Sequence, residues 1–530
     1  MSNYTTGQVA EKFSLTVQRI NEIANHKGIG RQDPKSGRWT FDDDDVKAIN
    51  HRDKLESIWS ITADEPGEDG MFSTLQVAAQ LDVGPGWVNY MVYEGKGGHR
   101  VDSLWRFTPE DVAKLRSLRS ETCGSKSDVQ PSAGEFYQDL GVKRVINAAG
   151  TLTRLGGTPM DDDVLDAMRE AAQWSVRIEE LQEAAGNYLA EVTGAEAGYV
   201  TAGAAAGLLV GTAACIAGLD IHKMNLLPET ANIPNEVVIQ RLHRNAYDHA
   251  LRTAGAKFVE VGHIGHPTGG YTEPWHIETA INERTVAVHW VAMPVEGVVS
   301  LEDTVAVAHK HDVPVIVDAA GGLPPAENLR GYIATGADLV SFSGGKAIQG
   351  PQASGILVGR RDLIQSVALQ HQDMDVMVET WTLREQLLGS GRLLGPPLQG
   401  IGRPMKVGKE EIAGLLAAVK NYVNRDHAAA RAEWLCRLES IAADLSSVSG
   451  IATEVVGRDG ASYPTLRVSL DDGVHGVSAI DLVNRLFDDD PAIAVSQYGS
   501  LEGSITINPL NLDGDKPQLV AARIRAIVTQ

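Results

Sequence analysis

LVSFSGGKAIQGPQASGILVG, residues 339–359, is the stretch that decides how this chain is read. LVSFS is an apolar run of strand character, GGK ends it, and a second apolar run, GILVG, follows the loop. Strand, small-residue turn, lysine and strand together present an amine at the edge of a sheet. Gly344 and Gly345 let the backbone turn tightly beside a flat group. An amine placed there attacks a carbonyl once desolvation or a neighbouring cation lowers its pKa. Most lysines are solvated surface residues, so Lys346 takes its meaning from the segments before it.

VPVIVDAAGG, residues 313–322, reads as a buried strand with Asp318 at its C-terminal end. Ligands of open α/β sheets bind outside the carboxyl ends of strands. A carboxylate there can hold a pyridine nitrogen protonated and make the ring an electron sink. Asp318 could equally cap a helix beginning at Ala319. Upstream, YVTAGAAAGLLVGTAACIAG (199–218) reads as a short strand, a glycine turn and a small-residue helix. Backbone N–H groups at Gly203, Ala204 and Ala205 would suit a phosphate dianion. Tight packing of a buried helix also explains that composition. The segment matches neither a Walker A loop nor a GxGxxG fingerprint.

Phosphate cup, strand-end aspartate, then lysine is an order similar to that of pyridoxal phosphate enzymes with the aspartate aminotransferase fold. VINAAGTLTRLGG (145–157), TGAEAGYVTAGAAAG (193–207), HRNAYDHALRTAGA (243–256) and IGRPMKVGKEEI (401–412) extend the match, which covers about residues 136–530. The chain resembles the selenocysteine synthase-like branch of fold-type I pyridoxal phosphate enzymes, most strongly D-glucosaminate-6-phosphate ammonia-lyase-type proteins. The resemblance implies a mainly parallel α/β sheet with a small C-terminal α/β domain, a Schiff base on Lys346, and Ser343 beside the cofactor. It implies His243, or a neighbour such as Tyr247 or His249, facing the ring. It also implies a homodimer or higher homo-oligomer with its active site at the subunit interface.

Arg154 lies among glycines and Arg403 beside Lys406 and Lys409, so both arginines are candidates for binding a substrate carboxylate. His289, with Trp290, ends the run TVAVHW and is a candidate for the substrate pocket. His263 and His266 have H-x-x-H spacing in a Gly/Pro-rich stretch with no glutamate placed as in a metalloprotease helix, so no metal site is expected.

The chain has 530 residues, enough for two or three domains. Its first 120 residues hold a repeat: 4–49 answers to 72–115, with Thr6, Gln8 and Val9 matching Thr74, Gln76 and Val77, and Trp39 and Phe41 matching Trp105 and Phe107. Each unit resembles the winged helix-turn-helix modules of MerR and excisionase proteins. The expected divisions are module 1 at 1–60, module 2 at 71–120, a linker at 121–135, a large domain at 136–420 and a small one at 421–530. Within the last two, RVINAAG is expected to open the sheet, and a long helix at about 409–445 to lead into strands PTLRVSL and SITINPL.

The segments expected to read DNA, 15–25 and 83–95, are poor in basic residues, and DDDD follows at 42–45. With a net charge of −22, this weighs against a nucleic-acid partner. No apolar stretch is long enough to cross a bilayer, and the N-terminus lacks the pattern of a signal peptide. Three scattered cysteines fit a reducing cytoplasm.

The family resemblance implies a lyase that eliminates water from a β-hydroxy amino acid or amino sugar acid and releases a 2-keto acid and ammonia. The residues themselves require only carbanion chemistry at Cα. A racemase, an aldolase and a selenium or sulfur transferase stay open, as does a cofactor-sensing transcriptional regulator.

Overall fold

The computed structural model describes residues 135–529 apart from 266–268 and 461, together with 71–81, 97–101 and 104–122 and isolated positions at 4–5, 9, 31–32, 39–41 and 88. The chain divides into two compact units, Met1–Arg144 and Val145–Gln530.

In the first unit, Tyr4–Thr5, Trp39–Phe41 and Arg31–Gln32 form a three-stranded antiparallel sheet. Phe72–Ser73, Leu104–Phe107 and His99–Val101 form a second sheet with the same order. Tyr4 opposes Phe41 as Phe72 opposes Phe107, and Val9 and Val77 are both fully buried. The sequence repeat is thus a structural repeat. Thr74–Leu81 is helical because Ser73 and Gln76 cap it reciprocally: Gln76 N donates to Ser73 Oγ at 3.3 Å, and Ser73 N to Gln76 Oε1 at 2.9 Å. Thr108 and Asp111 open Pro109–Thr122 in the same way. Of the two segments expected to be reader helices, only Val88 is among the described residues, so the helix-turn-helix resemblance lies outside them.

The second unit is built on a seven-stranded sheet. Its strands are β2 (Ala197–Thr201), β3 (Glu236–Gln240), β4 (Lys257–Val261), β5 (Thr285–Val291), β6 (Val315–Asp318), β7 (Leu339–Ser343) and β8 (Gly355–Gly359). The number β1 belongs to Val145–Ala148. The sheet order is β4-β3-β5-β6-β7-β8-β2, and only β8 runs antiparallel to its neighbours. The central strands are apolar on both faces because helices cover both, the pattern of a buried parallel sheet. Among the covering helices are α1 (Asp162–Ala172), α2 (Ile178–Thr193) and α3 (Ala204–Ala217). α3 is so rich in Ala and Gly that nearly every residue is buried against the sheet.

Two elements differ from the expectation. The strand in RVINAAG, β1, does not join the main sheet; it pairs in parallel with a second short strand, Ala492–Val495. Ser496 bridges that strand to Thr506, within the antiparallel set Ile451–Val456, Thr465–Leu470 and Ser504–Ile507. The start of this unit is therefore part of the sheet near its end. The long helix at 409–445 is two helices, α4 (Lys409–Asn424) and α5 (His427–Leu445). They part where Asp426 accepts from Ala429 N and so caps the second. Among the described residues, no helix is long and apolar enough to cross a membrane.

Candidate active site

β2, β3, β5, β6 and β7 all point their carboxyl ends the same way, and Asp318, Lys346, His243, His289 and the turn at Gly203 lie toward that edge. Asp318 is the last residue of β6 and is buried. A tight turn follows it, with Ala320 N donating to Asp318 Oδ1 at 3.0 Å, so the carboxylate is not a helix cap. One β-strand over, the chain leaves β7 at Ser343 and reaches Lys346 through the two glycines. A Cβ on Gly345 would lie 2.7 Å from Gln352 Cα, and one on Gly344 2.2 Å from Ser354 Oγ, so only glycine fits this close approach.

Lys346 is half-buried, and its Nζ has no hydrogen-bond or ion partner among the described residues. Burial pushes its pKa below the ordinary lysine value, and the negative charge of Asp318 opposes that shift without cancelling it. A small cavity lies beside the amine, lined by Ala319, Ala320, Leu323, Phe342, Ser343 and Lys346.

At the neighbouring edge, α3 begins after Gly203, whose φ of 114° is open to glycine and costly to other residues. Nothing lies within 4 Å of where a Gly203 Cβ would sit. Gly355 of β8 packs against the turn from behind, since its own Cβ would lie 2.5 Å from Gly203 C. Ser341 Oγ donates to Ala204 O at 3.0 Å and pins the helix start to β7. The amides at Gly203, Ala204 and Ala205 open the helix, where backbone donors have no intrahelical partner.

His243 follows β3 and is fully buried. Its Nδ1 accepts from Val291 N at 3.4 Å, and its ring meets Trp290 edge-on at 5.3 Å. Its Nε2 is buried with no partner. Burial first, then the nearby His289, lowers its pKa to about 4, so the ring is neutral. His289, on β5, is also buried with its Nδ1 unpartnered. Burial depresses its pKa as well, against the opposing charges of Asp318 and Asp248. Tyr247 is exposed, and His249 opens the next helix.

The two arginines differ. Arg154 is exposed, in the short turn Thr153–Leu155, with no ion partner among the described residues. Arg403 pairs with Asp373 instead of standing free, and Lys409 pairs with Glu410. His263 is exposed, and His266 lies outside the described residues. The sequence reading missed Thr158, whose hydroxyl reaches the lysine loop; its contact lies 187 residues away in the chain, and no local pattern marks it.

This edge can hold an aromatic aldehyde phosphate: an amine for the aldehyde, a carboxylate for a ring nitrogen and a helix start for the phosphate. Residues 242–382 match the family model described as SelA: L-seryl-tRNA selenium transferase. The chain is 34% identical to a 5'-C-glycyluridine monooxygenase-decarboxylase of a Streptomyces species, over 74% of this chain and 92% of that protein. It is 32% identical to the D-glucosaminate-6-phosphate ammonia lyase of Salmonella typhimurium, over 74% of this chain and 97% of that one. A solved structure of D-Glucosaminate-6-phosphate Ammonia-lyase superposes with a TM-score of 0.61 at 31% identity, covering 74% of this chain and 98% of that one.

Proposed function

The chain belongs to the SelA-like family of fold-type I pyridoxal phosphate enzymes, and we propose that it is an ammonia-lyase acting on a 2-amino-3-hydroxy acid, amino sugar acids included. The residues fit the cofactor, because the buried Nε2 of His243 lacks a partner and the turn at Gly203 is open where a side chain would stand. When bound, pyridoxal phosphate supplies an aldehyde for the substrate amine and a ring that draws electrons from Cα.

The protein's own groups do the rest. Asp318 keeps the ring nitrogen protonated. The helix start at Gly203, Ala204 and Ala205 holds the phosphate, with Ser343 alongside. His243, neutral because it is buried, packs on the ring without adding a competing positive charge. Arg154 takes the substrate carboxylate, since it has no ion partner among the described residues while Arg403 is engaged by Asp373. His289 lines the substrate side of Asp318.

Lys346 Nζ, whose pKa burial lowers below the ordinary lysine value, takes the proton from Cα. The 3-hydroxyl leaves as water with the proton that Lys346 returns to it, and the released enamine takes up water to give a 2-keto acid and ammonia. The observation that carries this reading is a desolvated lysine amine, without a partner among the described residues, in the field of a strand-end carboxylate.

The Streptomyces relative's name supports a second reading, in which the same Cα chemistry leads to oxygen uptake and decarboxylation. One assay separates the two. The purified protein is given a panel of β-hydroxy amino acids and amino sugar acids while keto acid, ammonia, oxygen and carbon dioxide are followed. Keto acid and ammonia in equal amounts, without oxygen use, support the lyase. Oxygen consumption in step with carbon dioxide release supports the second reading. Racemised substrate without ammonia overturns both.

Exposed apolar side chains, Trp174, Met377 and Leu398 among them, support assembly into a homodimer or larger homo-oligomer. The acidic balance of the chain supports a small-molecule partner over nucleic acid, and a cytoplasmic location is part of the same proposal. The repeated N-terminal unit is proposed to be an accessory module with helix-turn-helix ancestry.

A further inference from the structure

Lys346 is held both by its own loop and by a distant strap. Within the loop, Gly350 N donates to Gly344 O at 2.8 Å, and Gln349 N to Lys346 O at 3.0 Å. The Gly345 carbonyl is held from outside. Thr158 N donates to it at 3.3 Å, and the Thr158 hydroxyl lies 3.1 Å from it and 3.0 Å from the carbonyl of Lys346 itself. Thr158 is buried, so water does not compete for these carbonyls. A Cβ on Gly157 would lie 2.6 Å from Gly345 O, so the strap touches the lysine loop through its backbone.

The other end of the strap is fixed elsewhere. Residues 149–158 leave β1, which pairs with Ala492–Val495 in the small sheet. Asn147 Nδ2 donates to Gly150 O at 2.8 Å and to Gly157 O at 3.3 Å, closing the strap into a compact loop. Asn508 N donates to Ala148 O at 2.8 Å and ties the same root to the C-terminal part of the chain. Arg154 lies in the turn between these anchors.

We propose that Thr158 is a positioning residue for Lys346: by clasping the carbonyls of Gly345 and Lys346 it fixes where the amine stands, and the strap carries the position of the small sheet to that amine. The proposal rests on the reading of Lys346 as the cofactor-linked base. It says that the amine's reach is set by a hydroxyl far away in the chain, and that displacement of the small sheet moves the amine with it.

The test uses holoenzyme and needs no substrate. The wild type, Thr158→Val and Thr158→Ser are compared for cofactor content, for the pH midpoint of the visible band of the lysine-linked cofactor, and for the rate at which methoxyamine bleaches that band. Thr158→Ser keeps the hydroxyl and is expected to match the wild type. Thr158→Val is expected to retain cofactor, to bleach roughly fivefold faster, as loss of about one hydrogen bond allows, and to shift the midpoint by about half a pH unit or more. A static brace would lower melting temperature and cofactor content while leaving midpoint and bleaching rate unchanged, and that result overturns the proposal. Asn147→Ala loosens the strap without touching the lysine loop; it is expected to change both readouts in the same direction by less, and it decides the matter if Thr158→Val does not fold. A wild type that binds the cofactor without a visible band sinks the Lys346 assignment, and this inference with it. A band in the wild type with no response in either variant sinks this inference alone.

Discussion

Two aspartates at opposite ends of the same pair of strands show how this sheet divides its work. Asp338 stands at the amino end of β7 and is saturated. His309 Nε2 lies 2.8 Å from its carboxylate, Val315 N donates at 2.8 Å, and Arg360 Nη1 at 3.3 Å. Asp318 stands at the carboxyl end of β6, equally buried, and accepts one backbone N–H from Ala320. Near it His243 Nε2 and His289 Nδ1 are buried without a partner. Buried polar groups are ordinarily hydrogen-bonded, and two imidazole nitrogens left over beside a strand-end carboxylate fit a place where a ligand binds. On the proposed function, one end of the sheet uses its charges for stability and the other keeps them for chemistry.

That division makes opposite demands on mutants at the two ends. The largest effect is expected for Lys346→Ala, which removes the proposed base: keto acid release should fall by about 10³-fold or more, with no loss in melting temperature. Asp318→Asn should retain cofactor yet lose roughly 10²-fold in kcat, because the amide cannot hold the ring nitrogen protonated. Asp338→Ala should do the reverse. Stripping Arg360, His309 and Val315 N of their acceptor should cost about 2–3 kcal/mol in urea unfolding, while kcat of the folded enzyme stays within about twofold of the wild type. A large kcat loss in Asp338→Ala with unchanged stability would break the contrast.

A smaller, pH-dependent effect comes from His243. Its pKa lies near 4 in the folded protein against an ordinary 6.5, so between those values the unfolded chain binds the extra proton and the folded one does not. Stability of the cofactor-free protein is therefore intact above about pH 6.5 and declines as pH falls toward 4, by up to ~3 kcal/mol from this residue. Urea unfolding at several pH values should show that decline, and His243→Phe should flatten it. An unchanged profile in the variant would remove His243 from the set of buried neutral groups.

The parts legible in the sequence were those that depend on local pattern. β3, β7 and β8 are apolar runs punctuated by glycine or polar residues, and their edges fall where the letters change. Lys346 and Asp318 could be found because each ends such a run. What could not be read depends on partners far away in the chain. β1 is only four residues long and is defined by pairing with Ala492–Val495, so nothing local says which sheet it joins. The break between α4 and α5 was available in Asp426 as a cap, but helical character on both sides concealed it. Arg403 resembles a free anion binder until Asp373 is seen beside it. The charge state of His243 comes from burial, which residue type does not reveal.

The most direct test of the central claim is chemical. Purified holoenzyme is reduced with borohydride, digested, and the cofactor-bearing peptide identified by mass. The account predicts one labelled peptide, carrying the cofactor on Lys346. Label on a different lysine, or none on a protein that has taken up the cofactor, would contradict it.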